Sequence, residues 1–182
     1  MKITSMLLSV YHKDGLESIL SPLRGMQIKL FATGGTAEYL ISNGFPCTNI
    51  ETNTGYGNII SGRVKSLHPK VFGGIVADRS AEHLADLETH DIPLMDCVVV
   101  DLYPFEATLK RTQNEEELLK KIDIGGVALI RAAAKHYRNV VVIPSRRQFS
   151  ILQSILIDGG QFDYTIRKQL ARVYKKLLPT KA

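Results

Sequence analysis

The chain has only two cysteines, Cys47 and Cys97, and they form no CxxC pair. That spacing gives no support to a disulfide framework or a zinc site, and two reduced packing thiols are expected. No apolar run approaches the roughly 20 residues of a spanning helix, so no membrane is expected. Met1 to Leu8 lead straight into a strand-like pattern without a cleavage site, which makes the cytoplasm the expected location. No repeat, low-complexity tract or Pro/Gly/Ser linker divides the 182 residues, and one domain over 1–182 is expected. His12, His83, His90 and His136 lack metal-ligand spacing, so no metal is expected.

What is present is an ordinary globular composition, 45% hydrophobic and 23% charged, with a formal net charge of +5. The excess of positive charge favours an anionic ligand without saying which. Its one dense group is Arg167, Lys168, Arg172, Lys175 and Lys176, on a C-terminal helical pattern without interleaved aromatic residues. A solvated helix face is the expectation there, and no nucleic acid is expected.

Strand-length apolar runs alternate with helical patterns. Strands are expected at 3–9, 28–32, 97–102 and 140–143, with short ones at 48–50 and 74–77. Helices are expected at 15–23, 36–43, 82–89, 115–121, 127–134 and 148–156. The alternation predicts an α/β fold, a single-domain three-layer sandwich on a mostly parallel sheet, with ligands beyond the carboxyl ends of the strands.

One such end reads Thr33-Gly34-Gly35-Thr36 and then enters a helix, an arrangement that turns backbone N–H groups and the helix dipole toward an anion. It is neither a Walker A loop nor a dinucleotide fingerprint, since no Gly-Lys-Ser/Thr follows and Gly55-Tyr56-Gly57 lacks the third glycine. Taken alone, the turn reads equally well as a helix cap. The loop after the first strand adds Ser9 and Lys13 beside it, which favours phosphate.

Three further segments carry chemistry-bearing side chains: Gly62 to Lys70 with Arg63, Lys65, Ser66 and His68; Asp101 to Phe105 with Tyr103; and Ile122 to Gly126 with Asp123, leading to Arg131 and Lys135. Each has a plain structural reading, Asp123 as a helix cap and Lys135 as a cation at a helix end. His68 reads better as a hydrogen-bonded loop histidine than as a catalyst.

Taken in order, SxxxK, TGGTA, GRVKSLHPK, LYPF, IDIGG and RAAAK resemble the inosine monophosphate cyclohydrolase domain of the bifunctional purine biosynthesis enzyme that also carries a formyltransferase. The resemblance runs from Ser9 to the C-terminal helix. It implies a methylglyoxal-synthase-like sandwich, a homodimer, no cofactor or metal, and closure of the formylated carboxamide ribotide to inosine monophosphate and water. By motif, it places phosphate on Ser9, Lys13, Thr33, Gly34, Gly35 and Thr36. It puts Arg63, Lys65 and Ser66 along the base and formyl group, and Asp101, Tyr103, Asp123, Ile124, Gly125 and Gly126 along the carboxamide, with Lys135 as an acid/base.

The chemistry suits these groups. The carboxamide nitrogen attacks a formyl carbon on the same ring, so orientation supplies much of the rate. Asp123 would accept the N–H proton, and Lys65 with the glycine N–H groups would stabilise the oxygen. Lys135 with Tyr103 would protonate the oxygen for departure, although Lys65 and Lys135 are interchangeable in this scheme.

The chain departs from the family pattern at Tyr11 and His12 (Ser-Asp), Asp14 (Thr) and Asp101 (Asn), which implies a different grip in the first loop. No formyltransferase region follows, so a separate formylating enzyme is expected. The alternatives are a methylglyoxal synthase, which would explain TGGT but not IDIGG with RAAAK, and a non-catalytic nucleotide-sensing module, which would need the phosphate loops alone.

Overall fold

A computed structural model describes residues 1–57 and 59–177, without the side chains of 61 and 173–177. The chain runs β1 (Ser5–Val10), α1 (Glu17–Leu20), β2 (Lys29–Ala32), α2 (Gly34–Ser42), β3 (Thr48–Asn49) and α3 (Ile50–Thr54). It continues through α4 (Pro69–Val76), α5 (Ala81–Thr89), β4 (Cys97–Asp101), α6 (Phe105–Arg111), α7 (Glu115–Leu119) and α8 (Gly125–Lys135). Last come β5 (Val141–Ile143), α9 (Phe149–Ile157) and α10 (Tyr164–Leu177).

The five strands form one parallel sheet in the order β3-β2-β1-β4-β5. Successive side chains of a strand face opposite ways, and the core divides accordingly. Met6, Leu8, Val10, Cys97, Val99, Val141 and Ile143 belong to one apolar cluster, packed with Leu20, Leu40, Leu152 and Leu156. Leu7, Val98, Val100, Val140 and Val142 belong to the other, packed with Val71, Ile75, Leu129, Ile130 and Ala133 of α4 and α8. Unbroken apolar runs are what a sheet covered on both faces requires, at about 1.5–3 kcal/mol for each fully buried side chain.

At the edge where the strands begin, the buried Asp96 carboxylate ties the chain together. Its Oδ2 accepts from Thr4 N (2.7 Å) and Thr4 Oγ1 (2.6 Å), and its Oδ1 pairs with Arg79 (2.9 Å).

The segment 74–77, expected as a strand, is instead the end of α4 and the residue after it. Pro69 occupies the first turn, and His68 caps it by accepting Lys70 N at Nδ1 (3.1 Å). His68 is therefore the hydrogen-bonded structural histidine expected. The C-terminal basic group is not uniformly solvated. Arg167 is buried, donating Nε to Asp163 O (3.1 Å) and Nη1 to Tyr137 O (3.4 Å), whereas Lys168 and Arg172 are exposed. The side chains of Lys175 and Lys176 lie outside the described residues.

Candidate functional site

The strand order places β1 where the chain reverses its direction of progress, with β2 and β3 on one side and β4 and β5 on the other. In open parallel sheets that reversal leaves a crevice beyond the strand ends. Here it is a cavity of about 1120 Å³.

The cavity is lined by Ser9 at the end of β1 with Tyr11 and Lys13 in the loop after it, by Thr33, Gly35 and Thr36 of the β2–α2 turn, and by Asp101 at the end of β4 with Tyr103 just beyond. Arg63, Lys65 and Ser66 line it from the strap before α4, and Asp123, Ile124, Gly125 and Gly126 from the entry to α8. Glu116, Leu119, Lys120 and Ile122 complete the wall from α7 and the turn after it. Of these only Ile122, the start of IDIGG, belongs to a segment that the sequence marks out; nothing in a short helix such as α7 shows that it borders a cavity.

The strap joins the two glycine turns through adjacent residues. An added Cβ at Gly34 would stand 2.6 Å from Lys65 Nζ, and one at Gly125 would stand 2.6 Å from Ser66 Oγ. Gly34 also has φ +34°, a backbone state that L side chains rarely adopt. Lys65 therefore rests on the TGGT turn, paired with Glu51 Oε1 at 3.1 Å. That is the phosphate end of the expected site rather than the formyl end.

Hydroxyls knit the strand-end loops together. Thr33 Oγ1 donates to Ser9 Oγ (3.1 Å). The buried Thr36 Oγ1 donates to Val10 O (3.0 Å) and accepts Val10 N (3.1 Å), so it clamps two loops instead of reaching for an anion. Lys13 Nζ is tied to the carbonyls of Val10 and Tyr11. Its ammonium is held below the ordinary lysine range by burial, opposed by the charges of Asp101 and Glu38.

Asp123 serves at once as a helix cap and a cavity wall, since Oδ1 accepts Gly126 N at 2.7 Å. Burial raises its carboxyl above the usual range, against the opposing pull of backbone hydrogen bonds from Gly126 and Tyr103. A cavity carboxylate with a raised pKa is a stronger base than an ordinary one, which suits it to accepting a proton.

The departures in the first loop prove complementary. His12 Nδ1 lies 2.7 Å from Asp101 Oδ2, which also accepts His12 N at 2.9 Å. A histidine–aspartate pair thus closes β1 onto β4. Asp14 pairs with Arg146 on the surface (2.7 Å). Tyr11 and Tyr103 meet edge to face with centroids 5.0 Å apart, and Lys121 Nζ stands 3.3 Å from the Tyr11 hydroxyl.

Lys135 does not join this group within the protomer. It ends α8, exposed, about 15 Å along the helix axis from Gly125 at 1.5 Å per residue. The helix that IDIGG starts carries the RAAAK motif away from the cavity of its own protomer, and Lys135 is not among the residues that line it. Among the described residues, no group of three or more His, Cys, Asp or Glu side chains is placed to hold a metal ion. No described helix is long and apolar enough to cross a membrane.

The model of the MGS-like domain matches residues 15–128, from the loop after β1 into α8. The chain belongs to the MGS-like domain family. This MGS-like domain is 45% identical over 160 residues to the bifunctional purine biosynthesis protein PurH of Bacteroides thetaiotaomicron, covering 87% of the chain and 32% of that protein. It is 43% identical over 173 residues to the PurH of Natranaerobius thermophilus, covering 94% of the chain and 33% of that protein. The chain thus spans about a third of the length of these curated relatives. Among solved structures, the crystal structure of ForH superposes with a TM-score of 0.78 at 26% identity, covering 96% of this chain and 92% of that one.

Proposed function

We propose that this chain is an inosine monophosphate cyclohydrolase, closing 5-formamidoimidazole-4-carboxamide ribotide to inosine monophosphate and water. The observation that carries the reading is the strap, which sets Lys65 on one glycine turn and Ser66 on the other in a single cavity that also holds Asp123. The similarity to PurH proteins supports the same reaction.

The phosphate is anchored by the N–H groups at the start of α2, the Ser9 and Thr33 hydroxyls, and the Lys13 and Lys65 ammoniums. The imidazole then reaches toward the entry to α8. Holding formyl and carboxamide in a near-attack conformer is worth roughly 7–11 kcal/mol. As the carboxamide nitrogen bonds to the formyl carbon, its proton passes to Asp123. The developing oxyanion faces the positive end of α8. With Lys135 outside the cavity, the Tyr103 hydroxyl relays protons to that oxygen. One proton originates on the carboxamide nitrogen and one on the formamido nitrogen, and the C–O bond breaks to release water.

Mixing the chain with the formylated ribotide should produce the absorbance of the closed purine, and dihydroxyacetone phosphate should remain unchanged. Consumption of the triose phosphate would select the methylglyoxal synthase alternative, and binding of nucleotide without turnover the sensing module. The proposal includes a homodimer, supported by the exposed Leu119, Ile122 and Ile124 at the cavity rim, and a place in the cytoplasm with the nucleotide pool. Light scattering at the mass of one protomer would remove the dimer.

Lys13→Met should raise KM for the ribotide by about 10- to 100-fold with a smaller change in kcat, because it removes a charge-assisted phosphate contact. Since burial lowers the Lys13 pKa, phosphate binding should weaken as pH rises through that lowered value, earlier than for an ordinary lysine. The variant should lose this alkaline limb in a plot of kcat/KM against pH. An unchanged limb would assign it to another group.

A further inference from the structure

We infer that Glu51 is a positioning residue, holding the Lys65 ammonium on the TGGT turn so that a phosphate arriving there meets a fixed cation. This deepens the phosphate-binding part of the proposed function and rests on it. Nothing in the sequence motifs singles out Glu51, which lies between β3 and the strap.

The geometry is convergent. Glu51 opens α3, where the Asn49 side chain accepts its backbone N–H (2.9 Å) and the neighbouring Ile50 is fully buried, so its carboxylate comes from an anchored base. Lys65 comes from the strap on the other side. The two meet at 3.1 Å with 23% and 30% of their side chains exposed, over a glycine whose missing Cβ leaves the space the ammonium fills. An added Cβ at Gly34 would also be 3.8 Å from Glu51 Oε1. An isolated surface ion pair contributes little, but this one has a third component, the turn itself.

A lysine has a long flexible stem and loses much rotamer freedom when fixed, so a free Lys65 would spend part of its time in solvent. In protein kinases a phosphate-binding lysine must likewise be paired with a glutamate for activity. The competing expectation is simple repulsion, in which a carboxylate so near the turn only weakens anion binding. The two differ in sign.

Titration calorimetry with inorganic phosphate on the whole chain separates them, with circular dichroism confirming that each variant is folded. Glu51→Gln should weaken phosphate binding about five- to tenfold, and Glu51→Asp, which keeps the charge, should recover most of it. In a Lys65→Met background, itself weakened about tenfold or more, Glu51→Gln should add less than about a twofold loss, because no ammonium remains to be placed. Equal or tighter binding by Glu51→Gln, or the same loss in both backgrounds, overturns the role of Glu51 while leaving the phosphate site standing. Failure of the unaltered chain to bind phosphate, or full affinity in Lys65→Met, overturns the phosphate site and this inference together.

Discussion

Asp123→Asn is expected to lower turnover of the formylated ribotide by about 100- to 10,000-fold, the usual worth of a positioned general base. The fold should survive. Asparagine keeps a side-chain oxygen for the Gly126 N–H, now met at 2.7 Å by Asp123 Oδ1, and asparagine caps helices as well as aspartate does. What is lost is the capacity to take the proton of an amide that is a poor nucleophile while it remains protonated.

The same carboxyl sets an acidic limb. Burial raises its pKa in the folded chain, so the native state holds a proton over a pH range in which the unfolded chain has released it. Within and below that range the folded chain's Asp123 is protonated and cannot act as a base. Above it, the folded chain carries a buried charge and is less stable than it would otherwise be. Stability should therefore fall as pH rises from the ordinary carboxylate range through the raised value. Asp123→Asn should remove that fall, and be at least as resistant to heat as the unaltered chain at neutral pH. Single-turnover absorbance and thermal unfolding across a pH series test both. A variant that kept its turnover would take Asp123 out of the mechanism, and one that was greatly destabilised would make it a structural cap alone.

The sheet was readable because its strands are buried on both faces. Continuous runs such as Cys-Val-Val-Val have no other home in a chain of this composition, and they form β4 as expected. The site was readable where glycines open a helix, since TGGT at the end of β2 and IDIGG after α7 each lead into one and each contributes residues to the cavity wall. Two kinds of feature escaped. The run Gly-Ile-Val-Ala is too short to reveal its period, and only Pro69 with the His68 cap upstream decides for a helix. Glu51 and Lys135 depend on distances that the chain sets only after folding. Glu51 is 14 positions from Lys65 yet within salt-bridge reach, while Lys135, 10 positions past Gly125, is carried off by one straight helix.

Gly74→Ala should be the most destabilising small change outside the site, because α4 is seated by a backbone contact at that position. An added Cβ would stand 2.0 Å from Pro93 O and 3.1 Å from its carbonyl carbon, neither of which can rotate away as a side chain would. The helix would have to lift from the segment before β4, breaking the Met95 N to Gly74 O bond of 3.0 Å and loosening Val71 and Ile75 in the core. Overpacking costs about 1–3 kcal/mol in general, and a rigid backbone partner puts this case at about 3 kcal/mol. For a chain of this length that is a fall of roughly 6–12 °C in Tm. Because α4 begins where the strap ends, the same lift should disturb Lys65 and Ser66 and weaken phosphate binding even below the melting range. Calorimetric scanning with a parallel phosphate titration measures both. A Tm within about 2 °C of the unaltered chain would mean that α4 is not seated on Pro93.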